Sequence, residues 1–231
     1  MEKRLDPITF EFTDGKEYVL NFGIEEVQQL ANLSIARQGK IRDAEFFKIA
    51  LAKDSKAGYI TNQKAEAIRE AFLGGVEIND DYLSYEELIA YLVNLSIQAI
   101  DDAAKEVGPA TVKINADNSV NLTTQNGESF KLTFTREQVI EALENDTLSF
   151  NGLLDLYATG SALVKMSLEH YKKRFSVKKH EEIFLSLWAT KFDEETEDVL
   201  PEVIDALFYH MQEVVQSGVK KSRAAFKVKT K

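Results

Sequence analysis

Two fourteen-residue stretches constrain this chain more than anything else in it: TFEFTDGKEYVLNF at positions 9–22 and NLTTQNGESFKLTF at 121–134. In the first, Ile8, Phe10 and Phe12 alternate with polar residues before Asp14-Gly15, and Tyr18, Leu20 and Phe22 alternate after it. Such period-2 alternation on both sides of an Asp-Gly pair describes two half-buried strands joined by a tight turn. The turn length follows from where the apolar faces fall. A two-residue turn sets Phe10 against Val19 and puts the apolar rows on opposite faces. A three-residue loop, Thr13-Asp14-Gly15 with a left-handed glycine, pairs Phe10 with Tyr18 and Ile8 with Leu20, so the longer loop is expected.

The second stretch obeys the same arithmetic, with Asn126-Gly127 standing 112 positions after Asp14-Gly15. Val120 and Leu122 precede this turn, and Phe130, Leu132 and Phe134 follow it. Each hairpin leads into a helix start. Thr135-Arg136-Glu137-Gln138 is a capping box and Gly23-Ile24-Glu25-Glu26 a weaker one. Further on, residues 46–51 align with 163–168, and 61–68 with 176–183, the latter two each opening on a hydroxyl N-cap, Thr61 and Ser176. Leu88, Leu92, Leu95 and Ala99 mirror Ile204, Phe208, Met211 and Val215 along one helix face.

The expected fold is α+β and predominantly helical, as two similar units of a short β-hairpin followed by about four helices. Copy one covers residues 1–107 and a diverged copy two covers 112–217, with Gly108-Pro109 as the seam, where a helix from about Tyr82 should stop. Any two amphipathic units share a binary pattern, and few residues are identical between the halves. Same-order elements at offsets of 112 to 117 nevertheless favour internal duplication.

Charge narrows the function classes. The 28 Lys and Arg against 38 Asp and Glu give a net charge of −10, which argues against a chain whose main task is neutralising phosphates, so no nucleic-acid partner is expected. With no cysteine, disulfides and thiolate metal sites are excluded. No apolar run suggests a signal peptide or a membrane span, and a cytoplasmic protein is expected.

Chemistry-bearing motifs are scarce. His170, His180 and His210 are too far apart in sequence for a local metal motif, and His180-Glu181-Glu182 is not an HExxH helix. The acidic run 193–198 lacks the glycine of a calcium loop and reads as a solvated helix start. Asn115, Asp117 and Ser119 alternate like early calcium ligands, but the twelfth position is Asn126 rather than glutamate. Gly74-Gly75 and Gly160-Ser161 read as helix terminators or turns. A non-catalytic chain without cofactor or metal is expected, with an unrecognised hydrolase or transferase as the enzyme alternative.

Residues 218–231 form a basic tail on an acidic protein: Lys220, Lys221, Arg223, Lys227, Lys229 and Lys231, with Phe226 among them and no acidic residue. Such a tail is a solvated terminus, an extension of the last helix, or a contact arm for an acidic partner with Phe226 as its apolar anchor. On the third reading Lys220, Lys221, Arg223, Phe226, Lys227 and Lys229 are the candidate partner-binding residues.

The hairpin Ile8-Thr9-Phe10-Glu11-Phe12, turning at Asp14-Gly15 and returning through Tyr18-Val19-Leu20-Asn21-Phe22 into Glu25-Glu26-Val27, resembles the tail assembly chaperones of long-tailed bacteriophages of Gram-positive hosts. Phe46-Phe47-Lys48-Ile49-Ala50-Leu51, Ile60-Thr61 and the helix end Phe72-Leu73-Gly74-Gly75 resemble that family's middle section, so the likeness covers residues 8 to about 100. Its members commonly correspond to one such unit, where this chain is expected to carry two. The resemblance implies a non-catalytic protein of the infected or lysogenic bacterial cytoplasm that binds the tape measure protein and helps recruit tail tube subunits. It leaves homo-oligomers open. The alternative is a phage or prophage adaptor acting on a host protein.

Overall fold

The alternation at residues 8–22 resolves into an antiparallel pair, β1 (Ile8–Glu11) and β2 (Glu17–Leu20), with Ile8 opposite Leu20 and Phe10 opposite Tyr18. The Phe12 amide donates to the Lys16 carbonyl at 3.0 Å, the Gly15 amide donates to the Phe12 carbonyl at 2.9 Å, and Gly15 takes a φ of 69°. This is the expected three-residue loop, and only at a left-handed φ of this kind does glycine's freedom matter. The computed structural model describes residues 4–36, 41–56, 58–78, 81–144, 153–169, 171, 175–192 and 199–225. It is α+β and mostly helical, and it divides into two compact units, Met1–Ala103 with Phe150–Ala158, and Ala104–Ser149 with Thr159–Lys231.

In the first unit the hairpin is followed by α1 (Ile24–Ala36), α2 (Asp43–Ala50) and α3 (Asn62–Phe72). Glu26 reaches back to the Gly23 amide at 3.1 Å, and Thr61 accepts from the Lys64 amide at 3.1 Å, so both proposed helix starts carry their caps. After α3 the chain turns at Gly75, whose φ is 86°, so the glycine pair does terminate that helix. The expected long helix begins later than Tyr82. Residues Val76–Ile78 (β3) and Asp81–Leu83 (β4) pair antiparallel, and α4 runs Tyr85–Val107. The start at Tyr85 is set by a Ser84–Glu87 capping box: the Ser84 amide and hydroxyl both donate to the Glu87 carboxylate at 2.8 Å. The core gathers Tyr18 and Leu20 from the hairpin, Phe47 and Ile68 from α2 and α3, and Leu88 and Leu92 from α4, each at most 2% exposed. Phe72 stands edge-on to Phe10 at 5.1 Å between ring centres.

In the second unit, residues Thr111–Ile114 form β5, a strand the sequence pattern did not disclose, beside β6 (Val120–Thr123) and β7 (Ser129–Leu132). The order is β5-β6-β7, with Val120 opposite Leu132 and Leu122 opposite Phe130 as expected. Helices α5 (Arg136–Glu144), α6 (Leu153–Leu168, of which residues 159–168 belong to this unit), α7 (Val177–Trp188) and α8 (Val199–Ala225) follow, with a 3₁₀ turn at Ala189–Phe192. The Thr135–Gln138 box forms in both directions, at 2.8 and 3.3 Å.

Gly160 corrects the reading of a helix terminator, because it lies inside α6. An added Cβ there would sit 2.6 Å from a Phe184 ring carbon, so the glycine allows α7 to approach α6 closely.

Candidate functional site

One turn geometry is used three times. Besides the Asp14-Gly15 turn, the Thr124 amide donates to the Glu128 carbonyl at 2.9 Å with Gly127 at φ 84°, and the Asn115 amide donates to the Ser119 carbonyl at 2.9 Å with Asn118 at φ 57°. In each, an Asp or Asn side chain accepts the amide two residues on: Asp14 from Lys16 at 3.2 Å, Asp117 from Ser119 at 3.1 Å and Asn126 from Glu128 at 3.3 Å. The residues spaced like calcium ligands are thus the makers of the β5–β6 turn. Its Ser119 hydroxyl, donating at 2.6 Å, holds the Asp117 carboxyl below the usual carboxylate range.

Onto two of these turns a helix places a lysine. Lys64, in the first turn of α3, meets Asp14 at 2.7 Å, and its ammonium lies 4.3 Å from the Phe12 ring centre and 5.2 Å from that of Tyr18. The Tyr18 hydroxyl donates to the same carboxylate at 2.9 Å. Lys64 first, and Tyr18 after it, lower the Asp14 pKa from 3.8 to about 2, while Asp14 raises that of Lys64. In the other unit Lys179, three residues into its own hydroxyl-capped helix, is ion-paired with Glu128 and with Glu182, the latter at 2.9 Å, and stands 5.9 Å from the Phe130 ring centre. Burial opposes the Lys179 charge, but these two carboxylates outweigh it and raise its pKa.

Sequence reasoning passed over both lysines, although a signal was present. A cation in the first helical turn opposes the helix dipole, yet Thr61-Asn62-Gln63-Lys64 and Ser176-Val177-Lys178-Lys179 both carry one at the same place. Attraction to a turn carboxylate and a ring face offsets that cost.

The strand edges differ. Because hydrogen-bonded and non-bonded pairs alternate in an antiparallel ladder, the turn bond of Phe12 makes Thr9 and Glu11 point their backbone groups away from β2, and Val19 away from β1. The Ser55 hydroxyl fills the Val19 side, accepting from its amide at 2.9 Å and donating to its carbonyl at 3.1 Å. At the matching place on β7, the Lys131 amide donates to the Tyr171 hydroxyl at 2.6 Å. The outward groups of Asn121 and Thr123 on β6 face β5. Those of Thr9 and Glu11 on β1 meet no partner among the described residues, and both residues are exposed.

Of the three histidines, His210 is buried and structural. Its Nδ1 donates to the Asp117 carbonyl at 2.6 Å, which leaves Nε2 to accept the Thr133 hydroxyl at 2.8 Å. His180 is half-buried, its Nδ1 meets no hydrogen-bond partner among the described residues, and burial, then Lys165, lowers its pKa. His170 and the acidic run 193–198 lie outside the described residues. Among the described residues no cluster of His, Asp and Glu could hold a metal ion, and no helix is long and apolar enough to cross a membrane. Lys220, Lys221 and Arg223 fall within α8, which continues through Gly218 to Ala225, while Phe226, Lys227 and Lys229 lie outside the described residues. Compared with known proteins, the chain matches no family model, no curated sequence and no solved structure.

Proposed function

We propose that this chain is a non-catalytic protein-binding chaperone of phage tail assembly, acting in the bacterial cytoplasm to bind the tape measure protein and to help recruit tail tube subunits. The observation that carries the reading is the element order across residues 8–107, a hairpin of fixed register followed by three helices, the small β3–β4 hairpin and a fourth helix, close to the pattern on which the resemblance to tail assembly chaperones rests. Internal duplication belongs to the same proposal. It is supported by two hairpins of one turn type and register, 112 positions apart, and by Lys64 and Lys179, which stand at one position of two hydroxyl-capped helices and reach the same side of each hairpin turn. A long amphipathic helix aggregates before a tube encloses it, and an acidic helical protein can cover its apolar stripe reversibly while keeping the complex soluble. Two such units on one chain raise the effective concentration of the second contact.

The test is co-expression with the tape measure protein encoded nearby in the same genome, followed by size-exclusion chromatography with light scattering. The expected result is a tape measure protein that is soluble only with this chain and carries many copies of it. An insoluble tape measure protein with this chain eluting alone overturns the reading and leaves host-protein capture as the next experiment.

A further inference from the structure

The open edge of β1 is the one strand edge in the two hairpins that neither a side chain nor another strand fills among the described residues. Thr9 and Glu11 present their backbone donors and acceptors to solvent, a ready template for an added strand. The same chain shows what such an edge accepts. On β6, at the same distance from the same turn, β5 lays Val112 opposite Leu122 and Ile114 opposite Val120, with Lys113 opposite Asn121 on the other face. The required guest is a short strand with apolar residues alternating with polar or basic ones.

Charge chooses among guests. Glu11 lies directly opposite Glu17, a like-charge pair that disfavours the edge as it stands. Lys56 reaches Glu17 at 3.2 Å, and Glu11 has no ion-pair partner among the described residues. A strand carrying lysines on that face relieves the repulsion. Residues 226–231, Phe-Lys-Val-Lys-Thr-Lys, alternate Phe226, Val228 and Thr230 with Lys227, Lys229 and Lys231, and six extended residues span about 20 Å, enough to cover a four-residue strand.

We propose that residues 226–231 of one copy add as a strand to the β1 edge of a second copy, with the lysines beside Glu11 and the apolar residues over Ile8 and Phe10. Self-association of this kind requires no tail protein and does not rest on the chaperone reading. The β5 edge is a poorer acceptor for the same segment, because Lys113 stands on it and repels the incoming lysines.

Sedimentation velocity over a wide concentration range tests the pairing on the full chain, a chain shortened to residue 225, and the Glu11→Lys and Thr9→Pro variants. Thr9→Pro removes an outward donor without touching the β1–β2 ladder, and Glu11→Lys is a surface change that leaves the fold intact, as thermal melting checks. The full chain is expected to dimerise reversibly, more weakly at high salt, and each change should weaken association at least about tenfold. An equimolar mixture of the shortened chain and Glu11→Lys should form mixed pairs, since one supplies the edge and the other the strand. A full chain that stays monomeric throughout, or association unchanged by Glu11→Lys, overturns the proposal.

Discussion

The hairpins β1–β2 and β6–β7 share turn, register and a lysine reaching the turn from a capped helix, yet they end in different sheets. The first stands as a two-stranded ribbon and the second is flanked by β5. A two-stranded hairpin is marginal alone in water, so each needs support from outside its own sequence. The first finds it in helix-borne aromatics, with Phe72 against Phe10 at 5.1 Å and Phe46 against Phe22 at 5.2 Å between ring centres. The second adds a strand, and buries His210 between that strand's turn and the residue following β7. Similar local instructions thus give an edge with no strand partner among the described residues in one unit and an occupied one in the other. What surrounds a hairpin decides which of its edges stay open.

If the two hairpins are equivalent in their inner faces, truncating matched core positions should cost alike. Leu20→Ala and Leu132→Ala each remove a fully buried side chain at the same register position and should each destabilise their unit by about 3 kcal/mol. Fluorescence of Trp188, the chain's only tryptophan and 1% exposed, follows the second unit during urea unfolding, and amide exchange of β1 and β2 follows the first. A large inequality between the two costs breaks the equivalence.

His210→Phe sharpens the difference instead. It deprives the Asp117 carbonyl and the Thr133 hydroxyl of their buried partner and should cost about 2 kcal/mol in the Trp188 transition. Amide exchange should rise first in β5, while β1–β2 keeps its protection.

The turns return to the likeness. Gly15→Ala and Gly127→Ala place a Cβ at φ 69° and 84° with open space around it, so only backbone strain is added, about 1 kcal/mol at each. Equal shifts in the two urea midpoints are expected.

The smallest effect is electrostatic and specific to the first turn. The folded pKa of Asp14, about 2, lies below its ordinary 3.8, so its contribution is complete above the ordinary value and is lost as pH falls through about 2. Asp14→Asn should lower stability at pH 5 and approach the unmodified chain as pH falls toward 2, measured as urea midpoints across that range. A gap that stays constant with pH contradicts the Lys64–Asp14 pairing.

Much of the fold was legible because its signals are local. Alternation gave β1, β2, β6 and β7, though not β3 and β4, the choice of a three-residue loop followed from keeping apolar residues on one face, and hydroxyl N-caps marked α3 and α7. The strand Thr111–Ile114 was not legible: four residues with one lysine between two aliphatics carry too little pattern to separate a strand from a linker. The late start of α4 is marked by its cap, Ser84 and Glu87, which hydrophobic spacing does not register. Gly160 misled for a different reason. A glycine between the hydroxyl residues Thr159 and Ser161 reads as a helix end or a turn, and the close approach of Phe184 accounts for one inside a helix.

The basic segment shows where local reasoning stops. Its charge and its alternation can be read from the letters, as can the acidic balance of the rest, because composition and period are properties of the chain alone. Whether Glu11 stands on an open edge or under a neighbouring strand depends on where residues distant in sequence come to lie. Backbone donors and acceptors are the same in every residue but proline, so the amino-acid code is silent on which of them remain unpaired until the whole unit has folded around them.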